Sequence, residues 1–297
     1  TVNGYISRLE ASTGVLDDEL RPAMDRLLRA TSSITDSQKL LSLALDISAG
    51  TGKSLTQVSQ SLQKAYLGQT QALGRLGVGL ENIDLPACAK RNIKVIPATG
   101  ANADSVAEYV VGAAVALTRG FIPATISTLK GEWPRPRFSG YHEFLGQTLG
   151  IVGFGSIGRV VAKKAHAFGL NCVAYDPMLS GDAVNLDGFS VPLLQLTELL
   201  SKSNAVSLHL PYLPETKNLF NATTLDQMKE GACLINTARG GIVDELALVE
   251  RLRSGRIGGA AMDVFSAEPA KDLSHFSGIE NLILTPHIAG VTHESNE

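Results

Sequence analysis

The sequence predicts an α/β fold built on a doubly wound parallel sheet, preceded by an all-helical segment. Three observations carry that expectation. Short β-branched runs alternate with helical stretches from about Leu76 onward, as consecutive βαβ units require. One of those runs opens directly into a glycine-rich turn, Gly153-Phe154-Gly155-Ser156-Ile157-Gly158. Residues 1–75 are different: they lack Phe and Trp, hold Pro22 as their one proline, and carry apolar residues at helical spacing.

The 297 residues suffice for one large or two ordinary domains. With 26 Lys and Arg against 29 Asp and Glu, the net charge is −3, which speaks against a nucleic-acid partner. No run of about 18 apolar residues exists, so no membrane-spanning helix is expected. Thr1–Ala11 is polar and lacks the apolar core of a targeting signal. Cys88, Cys172 and Cys233 are odd in number and lie 84 and 61 residues apart. That spacing suits reduced thiols in a cytoplasmic protein better than a disulfide frame or a metal site.

In the first 75 residues, Leu20, Met24, Leu27 and Leu28 step at three and four, as do Leu40, Leu41, Ala44, Leu45 and Ile47, and then Leu55, Val58, Leu62 and Tyr66. Three or four amphipathic helices follow, with Asp17 and Ser54 as N-caps. Further on, buried strands are expected at Lys94–Pro97, Thr148–Phe154, Cys172–Tyr175, Ala205–Leu210, Ala232–Asn236, Gly259–Val264 and Leu282–Thr285. Helices are expected between them, at Ser105–Arg119, Ile157–Phe168, Leu193–Ser201, Ala222–Met228 and Leu246–Ser254. Gly131–Gly146 reads as an irregular, partly exposed connection.

The glycine turn gains weight from its context, because it follows a strand and opens a helix. Gly153 permits a tight turn, Gly155 lets a pyrophosphate approach backbone N–H groups, and Gly158 lets helix and strand pack closely. The helix N-terminus then faces the anion. Asp176 ends the next strand, 18 residues after Gly158. It can accept bonds from ribose hydroxyls and would repel a 2′-phosphate, which favours NAD over NADP. Gly50-Thr51-Gly52-Lys53-Ser54 imitates a phosphate-binding loop, but Ile47 stands where that motif needs glycine, and the run before it has helical period. A helix cap at Ser54 explains it better.

Arg239, Glu268 and His287 each follow a predicted strand. Ligands of open α/β sheets sit at carboxyl ends of strands, so the three can converge on one cleft. Such a set suits hydride transfer at a 2-hydroxy acid. The arginine holds a carboxylate, the histidine exchanges the hydroxyl proton, and the carboxylate orients the ring. Singly, each has a plainer reading, as a structural histidine, a surface cation and a loop acid.

LGVGLENID (76–84), ATGANADSVAEYVVGAAVAL (98–117), LGIVGFGSIGR (149–159), YDP (175–177), HLPYLPET (209–216), LINTARGGIVDE (234–245), AAMDVFSAEP (260–269) and LTPHIAG (284–290) together resemble the D-2-hydroxyacid dehydrogenase family, in family order. The resemblance implies His287 as acid/base, Glu268 as its partner and Arg239 as substrate anchor. It implies that the backbone N–H groups of Val78 and Gly79 help hold the substrate carboxylate. Asp263, Thr237 and the Pro211 region would line the nicotinamide side and His209 the ribose side. The implied NAD-binding set is Gly153, Gly155, Ser156, Ile157, Gly158, Asp176, Pro211, Thr216, Thr237, Ala238 and Asp263, with no metal. A homodimer through residues 102–146 is implied, with a small 2-hydroxy or 2-keto acid as substrate. GEWPR and HIAGVTHES are similar to stretches of members acting on sulfolactate-like or phosphoglycerate-like acids.

The resemblance breaks at both ends. The family begins with a flavodoxin-like half, whereas residues 6–79 resemble a helical segment of phage tail tape-measure proteins. The expected layout is therefore a helical segment over 1–75, a remnant of the substrate domain over 76–100, a Rossmann-type NAD-binding domain over 101–287, and a truncated return over 288–297. Two functions follow: an NAD-dependent 2-hydroxyacid dehydrogenase, or a chimera that binds NAD(H) with impaired catalysis.

Overall fold

The computed structural model describes residues 2–51, 54–67, 85–91, 95 and 100–296. It divides into two compact units, one of Thr1–Thr99 with Asn296–Glu297, the other of Gly100–Ser295.

The first unit contains α1 (Val2–Thr13), α2 (Asp17–Thr31), α3 (Ile34–Thr51), α4 (Leu55–Tyr66) and the short α5 (Leu85–Lys90). Its core gathers Ile6, Leu20, Met24, Leu27, Leu41, Ala44, Leu55, Val58 and Leu62. These are mostly the positions that helical spacing marks, because a stripe at three and four residues must be covered by a neighbour. Ser54 caps α4: its Oγ accepts from Gln57 N–H at 3.3 Å, and Gln57 Oε1 accepts from Ser54 N–H at 3.2 Å, a reciprocal box. Asp17 is not a cap. Leu16 takes that position, and Asp17 enters the first turn and pairs with Arg21 at 2.9 Å. Ile47 lies inside α3, so a helix and not a strand precedes the imitation phosphate loop. The Val78–Gly79 loop, and the strand expected at Lys94–Pro97 apart from Val95, lie outside the described residues.

The second unit opens with α6 (Ala103–Thr118), α7 (Phe121–Leu129) and α8 (Arg135–Phe138). It then alternates β1 (Thr148–Val152), α9 (Ser156–Ala167), β2 (Asn171–Tyr175), the hairpin β3 (Ala183–Leu186) and β4 (Phe189–Pro192), α10 (Leu196–Lys202), β5 (Ala205–Leu208), α11 (Ala222–Gln227), β6 (Cys233–Asn236), α12 (Glu245–Arg253), β7 (Gly259–Met262) and β8 (Leu282–Leu284). The main sheet has the order β2-β1-β5-β6-β7-β8, every pairing parallel. Strand order reverses between β1 and β5, the switch point where such sheets bind ligands.

Both faces of the sheet are covered. Leu149 and Ile151 pack with Val106, Val110 and Ala114 of α6 and Val161 and Ala165 of α9. Val152, Val206, Leu208 and Leu234 pack on the opposite side with Leu199 and Leu248. Burial on both faces explains why these strands read as continuous apolar runs. The β3–β4 hairpin and the helices α7 and α8 were not expected from the sequence. Asp187-Gly188 is a strong hairpin signal, and Gly188 turns at φ +94°. Pro123 is the third residue of α7, where its missing N–H costs nothing. Residues 288–295 also depart from expectation: they belong with this unit, and Ala289 N–H donates to Asp263 Oδ2 at 2.8 Å.

Candidate active site

The glycine turn is dictated by close packing. Gly153 has φ +94°, and a Cβ there would stand 2.5 Å from the His209 carbonyl oxygen. A Cβ on Gly158 would meet the Gly153 carbonyl at 2.3 Å. Gly155, the N-cap of α9, faces open space. The first N–H groups of α9, beginning at Ser156 and Ile157, have no partner within the helix. Asp176 follows β2 and is held beside the turn. Its Oδ2 accepts from Phe154 N–H at 2.8 Å and its Oδ1 from Met178 N–H at 2.9 Å. A carboxylate offers about four lone pairs, so acceptor capacity remains.

Thr237 follows β6 and is 9% exposed. Its Oγ1 is buried without a partner among the described residues. Such a group calls for an unseen partner. Open space over Gly155, a helix N-terminus, the acid at the end of β2 and this orphan hydroxyl together fit a dinucleotide. Ala238 is buried, and its N–H donates to Asn236 Oδ1 at 3.1 Å. Two residues expected at the cofactor also bond within the protein. The Thr216 hydroxyl closes its own turn, donating to Pro211 O at 2.7 Å and accepting from Leu213 N–H at 2.8 Å. It shapes the exposed Pro211 loop. Asp263 is fully buried.

Asp263 lies under the turn that carries His287. Its carbonyl accepts from His287 N–H at 2.8 Å. Its Oδ1 accepts from Thr285 Oγ1–H at 2.6 Å and Ile288 N–H at 2.8 Å, and its Oδ2 from Ala289 N–H. His287 has φ +56°, a left-handed conformation that non-glycine residues seldom adopt. That turn aims Nδ1 at Glu268 Oε2, 2.7 Å away. Glu268 Oε1 accepts from Phe265 N–H at 2.9 Å, which fixes the carboxylate from behind.

Arg239 arrives on the loop after β6. Asn236 is fully buried, and its Nδ2 donates to Arg239 O at 3.1 Å. The guanidinium donates to Ala238 O at 2.7 Å. At Gly240 the loop presses against the Glu268 loop so closely that a Cβ would lie 1.7 Å from Phe265 O. This contact brings Arg239 into electrostatic reach of Glu268 and His287.

The charges tune one another. The hydrogen bond to Glu268 is the chief cause that holds the His287 imidazole above its ordinary pKa, aided by the charges of Glu268 and Asp263 and opposed by burial and Arg239. Burial pushes the Glu268 carboxyl up, but the His287 and Phe265 hydrogen bonds and the charges of His287 and Arg239 outweigh it and hold it below the usual range. His209 shares a hydrogen bond of 2.8 Å between Nε2 and Ser207 Oγ, and burial pushes its imidazole down to about 3. It is neutral at pH 7 and suits a packing role beside the turn. Burial pushes the Cys172 and Cys233 thiols up to about 12, which leaves them unreactive. Among the described residues no group of three His, Cys, Asp or Glu is arranged to hold a metal ion. Sequence reasoning missed Tyr109 and Thr285, whose hydroxyls meet at 2.6 Å behind Asp263.

Residues 111–289 match the profile of the D-isomer specific 2-hydroxyacid dehydrogenase, NAD binding domain. The chain belongs to this family. It is 45% identical over 288 residues to (S)-sulfolactate dehydrogenase of Chromohalobacter salexigens, covering 97% of this chain and 91% of that protein. It is 36% identical to hydroxypyruvate reductase of Thermotoga maritima, covering 90% of this chain and 86% of that one. Among solved structures, the NAD-dependent formate dehydrogenase of Staphylococcus aureus in complex with NAD superposes with a TM-score of 0.65 and 36% identity, over 74% of this chain and 65% of that one. The second unit thus carries the family's NAD-binding domain, and the curated relatives it matches are named as a dehydrogenase and a reductase of small hydroxy or keto acids.

Proposed function

We propose that the protein interconverts a small 2-keto acid and its 2-hydroxy acid, with NAD as the redox partner and His287 as the proton-transfer residue. The observation that carries the reading is the 2.7 Å contact of His287 with Glu268, held at the carboxyl ends of strands in the sheet that also carries the glycine turn. NAD, when bound, supplies or accepts the hydride at C2 of the substrate. Arg239 holds the substrate carboxylate and draws electron density from the adjacent carbonyl. His287, kept protonated by Glu268, gives its proton to the C2 oxygen during reduction and takes one back during oxidation. Glu268 holds the ring through Nδ1, leaving Nε2 for the substrate. Ser156, Ile157 and Gly155 would receive the pyrophosphate, Asp176 the ribose, and Thr237 and Ala238 the nicotinamide side.

The protein acts in the cytoplasm as a homodimer through residues 102–146, where Phe121, Leu129 and Trp133 are 49%, 83% and 81% exposed. The test is NADH oxidation with glyoxylate, pyruvate, hydroxypyruvate and sulfopyruvate, alongside NADH binding by fluorescence. Turnover with at least one acid supports the reading, and binding without turnover overturns it.

That second outcome would favour a chain whose helical unit resembles a tape-measure segment in place of the flavodoxin-like half. Helices α1–α4, together with solved neighbours that cover 74% of this chain, support that alternative. The 288-residue match to sulfolactate dehydrogenase runs into the helical unit and supports the enzyme.

A further inference from the structure

We infer that Tyr109 is a positioning residue for His287, acting through Thr285 and Asp263. The inference rests on the assignment of His287 as proton donor. Tyr109 lies on α6, 176 residues before Thr285, and its hydroxyl meets Thr285 Oγ1 at 2.6 Å. Thr285 Oγ1 in turn donates to Asp263 Oδ1 at 2.6 Å. A hydroxyl has one hydrogen. Thr285 gives its own to Asp263, so Tyr109 must be the donor in the first bond. Burial raises the Tyr109 phenol above its ordinary pKa, which keeps that hydrogen in place.

The relay ends on a group with a demanding task. Asp263 receives the N–H groups of Ile288 and Ala289 on its carboxylate and that of His287 on its carbonyl. These bonds hold His287 at φ +56°. A left-handed turn at a non-glycine residue persists only where its surroundings over-determine it. The Thr285 bond fixes the rotation of the carboxylate that takes two of these N–H groups, and Tyr109 fixes Thr285. Ser105, one turn earlier on α6, meets Thr292 Oγ1 at 3.0 Å. One face of α6 therefore grips the 285–292 segment at two points, and only the Tyr109 contact leads to Asp263.

Loss of the relay loosens the His287 turn, and the ring spends less time against Glu268. Three charged groups face His287: Glu268 on the loop after β7, Asp263 at the end of β7 and Arg239 on the loop after β6. Of these, the Glu268 hydrogen bond contributes most to the raised pKa. A loosened ring should therefore titrate at lower pH, nearer an ordinary histidine.

The experiment compares Tyr109→Phe, Thr285→Val and the double variant in the full chain. Tyr109→Phe removes one hydroxyl and keeps the ring. One ordinary hydrogen bond bounds the loss in kcat at about two- to tenfold. KM for the keto acid and the NADH dissociation constant should stay within about twofold, because no ligand contact is touched. In the double variant Tyr109→Phe should add nothing to Thr285→Val, since the relay is already cut. NMR titration of the His287 imidazole needs no turnover, and its midpoint should fall in each variant. An unchanged midpoint and kcat overturns the relay, as does simple multiplication of the two losses. Weaker NADH binding in step with kcat would mean general loosening and overturns it too. If Tyr109→Phe fails to fold, Thr285→Val cuts the same relay one bond closer to Asp263 and is read in the same way. A wild type inert with every keto acid overturns the functional assignment, while the NMR midpoints still decide the relay.

Discussion

Replacing Glu268 by Gln tests the acid/base assignment most directly. Gln keeps the size of the side chain and removes its charge. Glu268 serves two donors, His287 Nδ1–H and Phe265 N–H, and Gln has a single carbonyl oxygen for both, so one bond is lost with the charge. A charge-assisted hydrogen bond contributes about 1.5–3 kcal/mol when shielded from water. The pair is 46% and 34% exposed, and screening reduces the figure to about 1–2 kcal/mol. That corresponds to a fall in kcat/KM of roughly five- to thirtyfold. The sign of the pH effect follows from Glu268 raising the His287 pKa. Keto-acid reduction needs the imidazolium, so its rate is full below that pKa and lost as pH rises through it. Without the carboxylate the pKa falls, and the alkaline limb of the reduction profile moves to lower pH. Hydroxy-acid oxidation needs the neutral ring, and its rising limb moves the same way. The assay is kcat/KM for NADH-dependent reduction across pH 5–9, with NADH affinity as control. An alkaline limb that stays in place refutes the coupling of Glu268 to the titrating group.

His287→Ala should lower kcat by about 100- to 10,000-fold with NADH affinity largely retained; steady-state rates beside fluorescence titration decide it, and unchanged turnover removes His287 from the chemistry. NADH should outperform NADPH in wild type, and Asp176→Ser should narrow the gap by removing the charge beside a 2′-phosphate; equal rates with both cofactors in wild type would contradict the role of Asp176. Gly240→Ala forces a Cβ against a backbone carbonyl. It should cost about 1–3 kcal/mol of stability and lower kcat/KM by separating the Arg239 and Glu268 loops. A melting curve and kinetics identical to wild type would refute the close packing of those loops.

Much of the second unit is legible in the sequence because its parallel strands are buried on both faces. Six strands and five helices of the Gly100–Ser295 unit fall where apolar runs and helical spacing place them. The β3–β4 hairpin is half exposed and leaves no such run, and only Asp187-Gly188 signals it. Gly153, Gly158 and Asp176 are readable because their chemistry depends on order along one βαβ unit. Arg239, Glu268 and His287 are readable as residue types at strand ends, 29 and 19 positions apart.

By itself the sequence determined the alternation of strand and helix, the glycine turn and the acids and bases after each strand. These are properties of neighbours along the chain. The tertiary structure decided which of them touch. Asp263 is a buried acceptor under the His287 turn and Thr216 closes a loop, because hydrogen bonding depends on which donors the fold brings within about 3 Å. Tyr109 and Thr285, 176 positions apart, meet only because α6 packs against the sheet that ends in β8, and no periodicity in the sequence records that contact.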